Sequence, residues 1–115
     1  MKDFKKLMVW QQGMEIVNEV YNLISLLPPE EKYGMRSQII RSAISLPVNV
    51  AESSAKTSAK DYKRYLEIAL GSSFELETQL LVIKRRKWLN DELLMGLLDL
   101  VHREQKMLQS FIKKL

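Results

Sequence analysis

From Tyr62 to Ile83 one set of residues, Tyr62, Leu66, Ala69, Ser73, Leu76, Leu80 and Ile83, falls at intervals of 4, 3, 4, 3, 4 and 3. A strand sends alternate residues to opposite faces, so this spacing would scatter the set over both sides of a sheet. On a helix it draws one seam, and a heptad seam of this length needs facing helices to cover it. Ala69 and Ser73 are small enough to let a neighbour approach closely. Composition agrees: eighteen leucines stand against two threonines, and β-branched residues lose more rotamer freedom in a helix than leucine does. Three prolines and four glycines are too few turn residues for a many-stranded sandwich or barrel. A chain of 115 residues allows one domain, 1–115, around one core.

Three further helices follow from spacing. The first is expected from about Leu7 to Leu27, with Val9, Ile16, Val20, Leu23 and Leu27 on one stripe and Met14, Val17 and Ile24 widening it. Pro28-Pro29 stops it, and Glu30-Glu31 suit the first turn of the next helix. The second is expected from Tyr33 or Met35 to about Ser54, its apolar side built of Met35, Ile39, Ala43, Leu46 and Val50, with Ile40, Ile44 and Ala51 beside it. Pro47 falls inside this pattern and removes one backbone hydrogen bond. Because the periodicity continues in phase beyond it, the expectation is a kink rather than a break. Ser58 and Asp61 form a capping-box-like start for the third helix, which carries the heptad seam towards Trp88. Asn90, followed by Asp91 and Glu92, caps the fourth, whose seam is Leu94, Leu98, Val101, Gln105, Leu108, Ile112 and Leu115. The links at 28–32, 55–57 and 89–90 are short, and short links between long helices force antiparallel neighbours. The expected fold is all-α, an antiparallel up-down-up-down four-helix bundle.

Catalytic chemistry finds little footing. There is no cysteine, so neither a disulfide, a thiolate nucleophile nor a Cys-type zinc site is available. His102 is the single histidine; Asp99-x-x-His102 shares a helix face, but a bundle di-iron site needs a second such unit and two more carboxylates. Ser53-x-x-Lys56 has a serine–lysine spacing without the companion motifs, and no glycine-rich loop can cradle a phosphate. The expectation is no enzyme, no cofactor, no metal and no small-molecule substrate. No stretch nears the ~20 apolar residues of a membrane span, and the start lacks a signal-peptide core, so a cytoplasmic location with no membrane partner is expected.

The net charge of +4 is unevenly placed. Residues 57–89 hold seven cations against four anions, so +3 of the +4 lies on the third helix. The cations sit at its two ends, Lys60, Lys63 and Arg64 at the start and Lys84, Arg85, Arg86 and Lys87 at the finish. Cations at a helix C-terminus complement its dipole, but that accounts for one or two of four. The remainder suits phosphate contact, and Trp88 directly after them could stack on a base or cap the bundle.

A polar stripe accompanies the apolar side of the second helix: Gln38, Arg41 or Ser42, Ser45, Asn49 and Glu52. Arg64, Gly71, Ser72, Glu75 and Gln79 repeat similarly on the third. A solvated face is the ordinary reading of such stripes, yet Gln, Ser and Asn in place of Lys and Glu suit hydrogen-bonded contact with another subunit or a ligand. Mid-helix Gly71 implies close backbone approach, and Arg41 could pair with Glu75 across the surface.

Several elements together carry a resemblance: Trp10-Gln11, the run Tyr33-Gly34-Met35 through Ser37-Gln38-Ile39-Ile40-Arg41-Ser42-Ala43-Ile44-Ser45-Leu46-Pro47-Val48-Asn49-Val50-Ala51-Glu52, then Tyr65-Leu66-x-Ile68-Ala69-x-Gly71-Ser72 and Glu75-x-Glu77. Over nearly the whole chain these resemble the four-helix-bundle family of 23S rRNA intervening-sequence proteins. The family usually has Gly after the Ala-Glu pair, where this chain has Ser53. The resemblance implies an antiparallel bundle assembling into a ring-shaped homo-oligomer, a pentamer. It also implies a link to RNA, because some members are encoded within insertions in large-subunit rRNA genes. A distant relative is the basic accessory subunit of diversity-generating retroelements. Gln38, Arg41, Asn49, Glu52, Gly71 and Glu75 match family positions, serving assembly or ligand binding. The leading expectation is therefore an oligomeric nucleic-acid-binding protein acting through clustered Lys and Arg. The alternative is a protein–protein scaffold whose ring recruits a partner.

Overall fold

Helix boundaries follow from local chemistry. In the computed structural model, which describes residues 3–31 and 34–115, α1 spans Met8–Ile24, α2 Met35–Ser53, α3 Ala59–Arg86 and α4 Asp91–Lys113. Short 3-10 turns at Phe4–Lys6 and Pro29–Glu31 precede α1 and α2, and no strand occurs among the described residues. Tyr33, the earlier of the two expected starts of the second helix, lies outside the described residues, as do Lys2 and Lys32 of the charge count.

The expected N-caps are both in place. The Ser58 hydroxyl accepts from the Asp61 N–H at 3.1 Å and opens α3, and Asn90 Oδ1 accepts from the Glu92 N–H at 2.7 Å and opens α4. The first helix ends earlier than its stripe implied. Leu26 and Leu27 N–H bond back to Leu23 and Ile24 at 3.0 and 3.2 Å, a tightened last turn that the two following prolines cannot continue. Leu27 is nevertheless buried, so the stripe correctly identified a core residue that lies past the helix end. Helix α2 runs on through Pro47 without interruption. Lys87 closes α3 in the left-handed region (φ 58°, ψ 36°), where its N–H and that of Trp88 turn back to the carbonyls of the last turn.

Each helix packs on two others: α2 against α3 and α1, and α4 against α3 and α1. This closed circuit makes a four-helix bundle 44 Å long. At 28 residues, α3 spans about 42 Å and runs the full length.

The buried apolar residues form two separate clusters. The larger gathers Ile16 to Leu27, Ile39 to Leu46, Leu76 to Ile83 and Leu94 to Val101, with Trp88 and Leu89 packed on it. The smaller, at the opposite end, holds Val9, Val50, Tyr62, Leu66, Ala69 and Leu108. Between them all four helices change character at one level. There α1 offers Gly13, α2 Pro47, α3 Ser72 and Ser73, and α4 Glu104 and Gln105, all buried. Space explains the glycine: a Cβ at Gly13 would stand 3.0 Å from Leu46 Cδ2 and 3.3 Å from Pro47 Cβ. Met14 and Ile44, expected on the apolar side, are 45% and 38% exposed. Both lie one residue past a buried position, rotated out of the core.

Candidate nucleic-acid interface

All seven cations singled out on the third helix are exposed. The helix holds them apart, however: Lys60 and Lys84 are separated by about 36 Å of rise, so they form two sites and not one patch. At the first site Arg64 pairs with Asp61 at 3.9 Å, and its guanidinium lies 5.1 Å from the Tyr65 ring. Lys56 approaches the same ring at 4.5 Å. Two cations thus meet at the Tyr65 ring, and Lys56 joins Arg64 there from the preceding link. The charge count over 57–89 left Lys56 out of this group because it precedes the helix and is brought back by the turn.

At the second site Lys84, Arg85, Arg86 and Lys87 form no ion pair among the described residues. Lys84 Nζ lies 3.8 Å from Met95 Sδ, and Arg86 stands 5.9 Å over the Trp88 ring. Trp88 is half-buried and packs against the larger core cluster at this end of the bundle. Beside these cations the turn from α3 to α4 leaves a groove of about 990 Å³. Thr78, Leu81, Val82, Lys84 and Arg85 line it from α3, Lys87 and Leu89 from the turn, and Asn90 and Asp91 from the far, α4 wall, so Leu81, Val82 and Leu89 make its apolar floor. No signal in the cation pattern pointed to this floor, because Leu81 and Val82 lie off the seam.

The polar stripe divides in two. Its inner half ties α2 to α3, the Ser42 hydroxyl donating to Gln79 Oε1 at 2.6 Å and Ser45 and Ser72 sharing a hydrogen bond of 2.8 Å, while within α2 Asn49 Nδ2 donates to the Ser45 carbonyl at 2.8 Å. Its outer half, Gln38, Arg41, Glu52, Gly71 and Glu75, is exposed. Arg41 reaches Gln38 Oε1 at 3.5 Å; the suggested pairing with Glu75 is not formed. Among the described residues, nothing beyond its own stretch of helix lies within 4 Å of a Cβ placed on Gly71. Within the chain, close approach is found at Gly13, which faces the core, while Gly71 stays open to a partner outside it. The exposed apolar residues Ile44, Val48, Ile68 and Val82 flank this outer half.

The residues considered for catalysis are committed elsewhere. His102 Nε2 meets Glu77 Oε2 at 3.1 Å rather than Asp99. Gln105 Nε2 donates to the other Glu77 oxygen at 2.9 Å, and these two bonds hold the Glu77 carboxyl below its ordinary value. Ser53 is fully buried and donates to the Val50 carbonyl at 2.6 Å. Among the described residues no cluster of three His, Asp or Glu could hold a metal ion. No described helix is long and apolar enough to cross a membrane.

One group was not anticipated. Glu104 is 0% exposed, and among the described residues neither carboxyl oxygen has a hydrogen-bond partner. It faces the gap at Gly13, with Oε2 3.4 Å from the position a Cβ there would take. Burial alone pushes its carboxyl up to about 8.

Comparison with known proteins agrees with the resemblance. A sequence profile described as "23S rRNA-intervening sequence protein" matches residues 5–110. A crystal structure of a protein of unknown function from the S23 ribosomal protein family of Bacteroides thetaiotaomicron superposes with a TM-score of 0.86. It is 29% identical, and the match covers 92% of this chain and 99% of that one. No curated protein matches the chain.

Proposed function

The chain belongs to the 23S rRNA-intervening sequence protein family, and on that premise we propose that it is a homo-oligomeric protein that holds RNA through the cations of α3, without catalysis. The observation that carries this is the run Lys84–Lys87: four exposed cations, none spent on an ion pair among the described residues. Phosphate neutralisation needs unpaired charge of this kind and no base reading. Assembly would multiply it, since a ring of five copies carries five times the +4 of one chain. The proposal places the protein in the cytoplasm, with RNA and its own copies as partners and no cofactor or small-molecule substrate.

The test is fluorescence anisotropy with a structured RNA at 50 and 200 mM salt, comparing the native protein with a variant in which Lys84, Arg85, Arg86 and Lys87 are all Gln. Each lost phosphate contact should lower the slope of log K against log salt by about 0.7–0.9. Binding that ignores both salt and the substitutions refutes the reading.

A second reading, a ring that recruits a protein partner, draws on the outer stripe. Exposed Ile44, Val48 and Ile68 beside uncrowded Gly71 make a mixed apolar and polar face of the sort subunits cover. The antiparallel arrangement is part of both readings and is supported by the α2–α3 contacts, because Ser42 reaches Gln79 while Ser45 reaches Ser72. Gly71→Trp or Val48→Asp should break the oligomer in light scattering, and an unchanged mass counts against that face.

A further inference from the structure

We propose that the groove between the end of α3 and the start of α4 takes one unpaired nucleotide of an RNA strand, so that the protein prefers single-stranded over duplex RNA. This rests on the RNA reading above and deepens it. A surface that only neutralises phosphates needs cations and nothing else, and this groove holds more. Its floor is apolar and open, with Leu81 42% and Val82 39% exposed. A duplex presents phosphate and sugar to such a floor and gains nothing from it, whereas an unpaired base can lay its flat apolar face there.

The far wall points the same way. Asp91 would repel a phosphate, but its carboxylate can accept from a ribose 2′-hydroxyl or a base amino group. Asn90 uses Oδ1 to cap α4, which leaves its amide NH2 free to donate to a base edge. The groove therefore offers cations in its lining, an aliphatic floor, and one acceptor and one donor opposite. That is the inventory of a nucleotide: phosphate, base and sugar. Its volume of about 990 Å³ lies at the upper end of small-ligand sites, roomy enough for a nucleotide with its flanking phosphates. Trp88 takes no part in this contact, because it packs on the core and does not line the groove.

The backbone adds an independent mark. Lys87 is the one described non-glycine residue with positive φ, in a position glycine occupies without strain. A lysine held there against its backbone preference puts a further cation in the lining.

The probe is fluorescein-labelled twelve-residue oligoadenylate, alone and annealed to oligouridylate, titrated with the full chain at 50 mM salt. Charge alone favours the duplex, whose phosphates are denser. The proposal expects the reverse, with the single strand bound at least about tenfold tighter. Leu81→Ser should weaken the single strand by about fivefold and leave the duplex unchanged, with Val82→Ser as the second variant, since each side chain is already partly exposed. Equal affinities with no effect of either variant overturn the groove while leaving the RNA reading intact. A native protein that binds neither probe overturns both. A change of oligomeric mass in Leu81→Ser shows the floor to be a subunit contact and also overturns the proposal.

Discussion

Glu104 makes the most quantitative prediction. In the unfolded chain this carboxyl releases its proton near the ordinary value of 4.5, and in the folded chain it keeps it until about 8. The folded value is raised because burial penalises the charged form and no partner offsets it. Between the two values only the unfolded state is ionised, so stability falls as pH rises through that window and levels off above it. Each pH unit inside the window costs ~1.4 kcal/mol, which puts the penalty at about 3 kcal/mol at pH 7 and about 5 kcal/mol above pH 8. Glu104→Gln removes the titration but keeps a buried polar group, at a pH-independent cost of about 1–3 kcal/mol. The difference between native and variant stabilities should therefore drift by ~1.4 kcal/mol per unit from pH 5 to 7.5 in favour of the variant. Beyond pH 8.5 it should be flat. Urea unfolding followed by circular dichroism at fixed protein concentration measures it. Glu104→Leu, which leaves no polar atom, should show the same drift from a more stable starting point. Parallel stability curves across that range would refute the reasoning, because they require Glu104 to be ionised in the fold.

Four other outcomes are expected. Gly13→Ala forces a Cβ to within 3.0 Å of Leu46 Cδ2 and should cost about 1–3 kcal/mol in thermal unfolding. Gly96→Ala, in open space on α4, should instead gain up to ~1 kcal/mol. Lys87→Gly should relieve the left-handed backbone and raise stability by about 0.5–1 kcal/mol while lowering RNA affinity, so urea midpoint and anisotropy should move in opposite directions. Glu77 behaves oppositely to Glu104: its lowered carboxyl contributes stability above pH 4.5 and loses it as pH falls through the folded value. In Gln105→Leu, carboxyl 13C NMR should show Glu77 titrating closer to its ordinary value.

Much of the fold was legible because its signals are local. Ser58 and Asn90 cap helices wherever they precede an apolar seam, and the phase of Leu46 and Val50 across Pro47 shows the helix continuing. Missing were features set by two helices at once. Val101, Glu104 and Leu108 follow the same 3 and 4 spacing as the seam, but a carboxylate is ordinarily solvated, and only Gly13 on another helix makes room for this one. Gly71 drew notice for its place in mid-helix, yet neither its sequence nor that of Gly13 says which faces a neighbour. The cations were legible as charge. The groove beside them was not, since it depends on where the turn after Lys87 places α4.

The polar level between the two core clusters has a consequence for how this chain can change. Ile83 and Leu66 belong to clusters that share no member, so enlarging or trimming one leaves the packing of the other in place. Costs at the two ends should add as independent quantities, and a swap at one end has no partner at the other to compensate it. Within the level itself the reverse holds. Pro47 and Glu104, from two other helices, both border the space at Gly13, so a side chain added there must be accepted by both. The sequence is therefore free to drift at either end and is coupled across its middle.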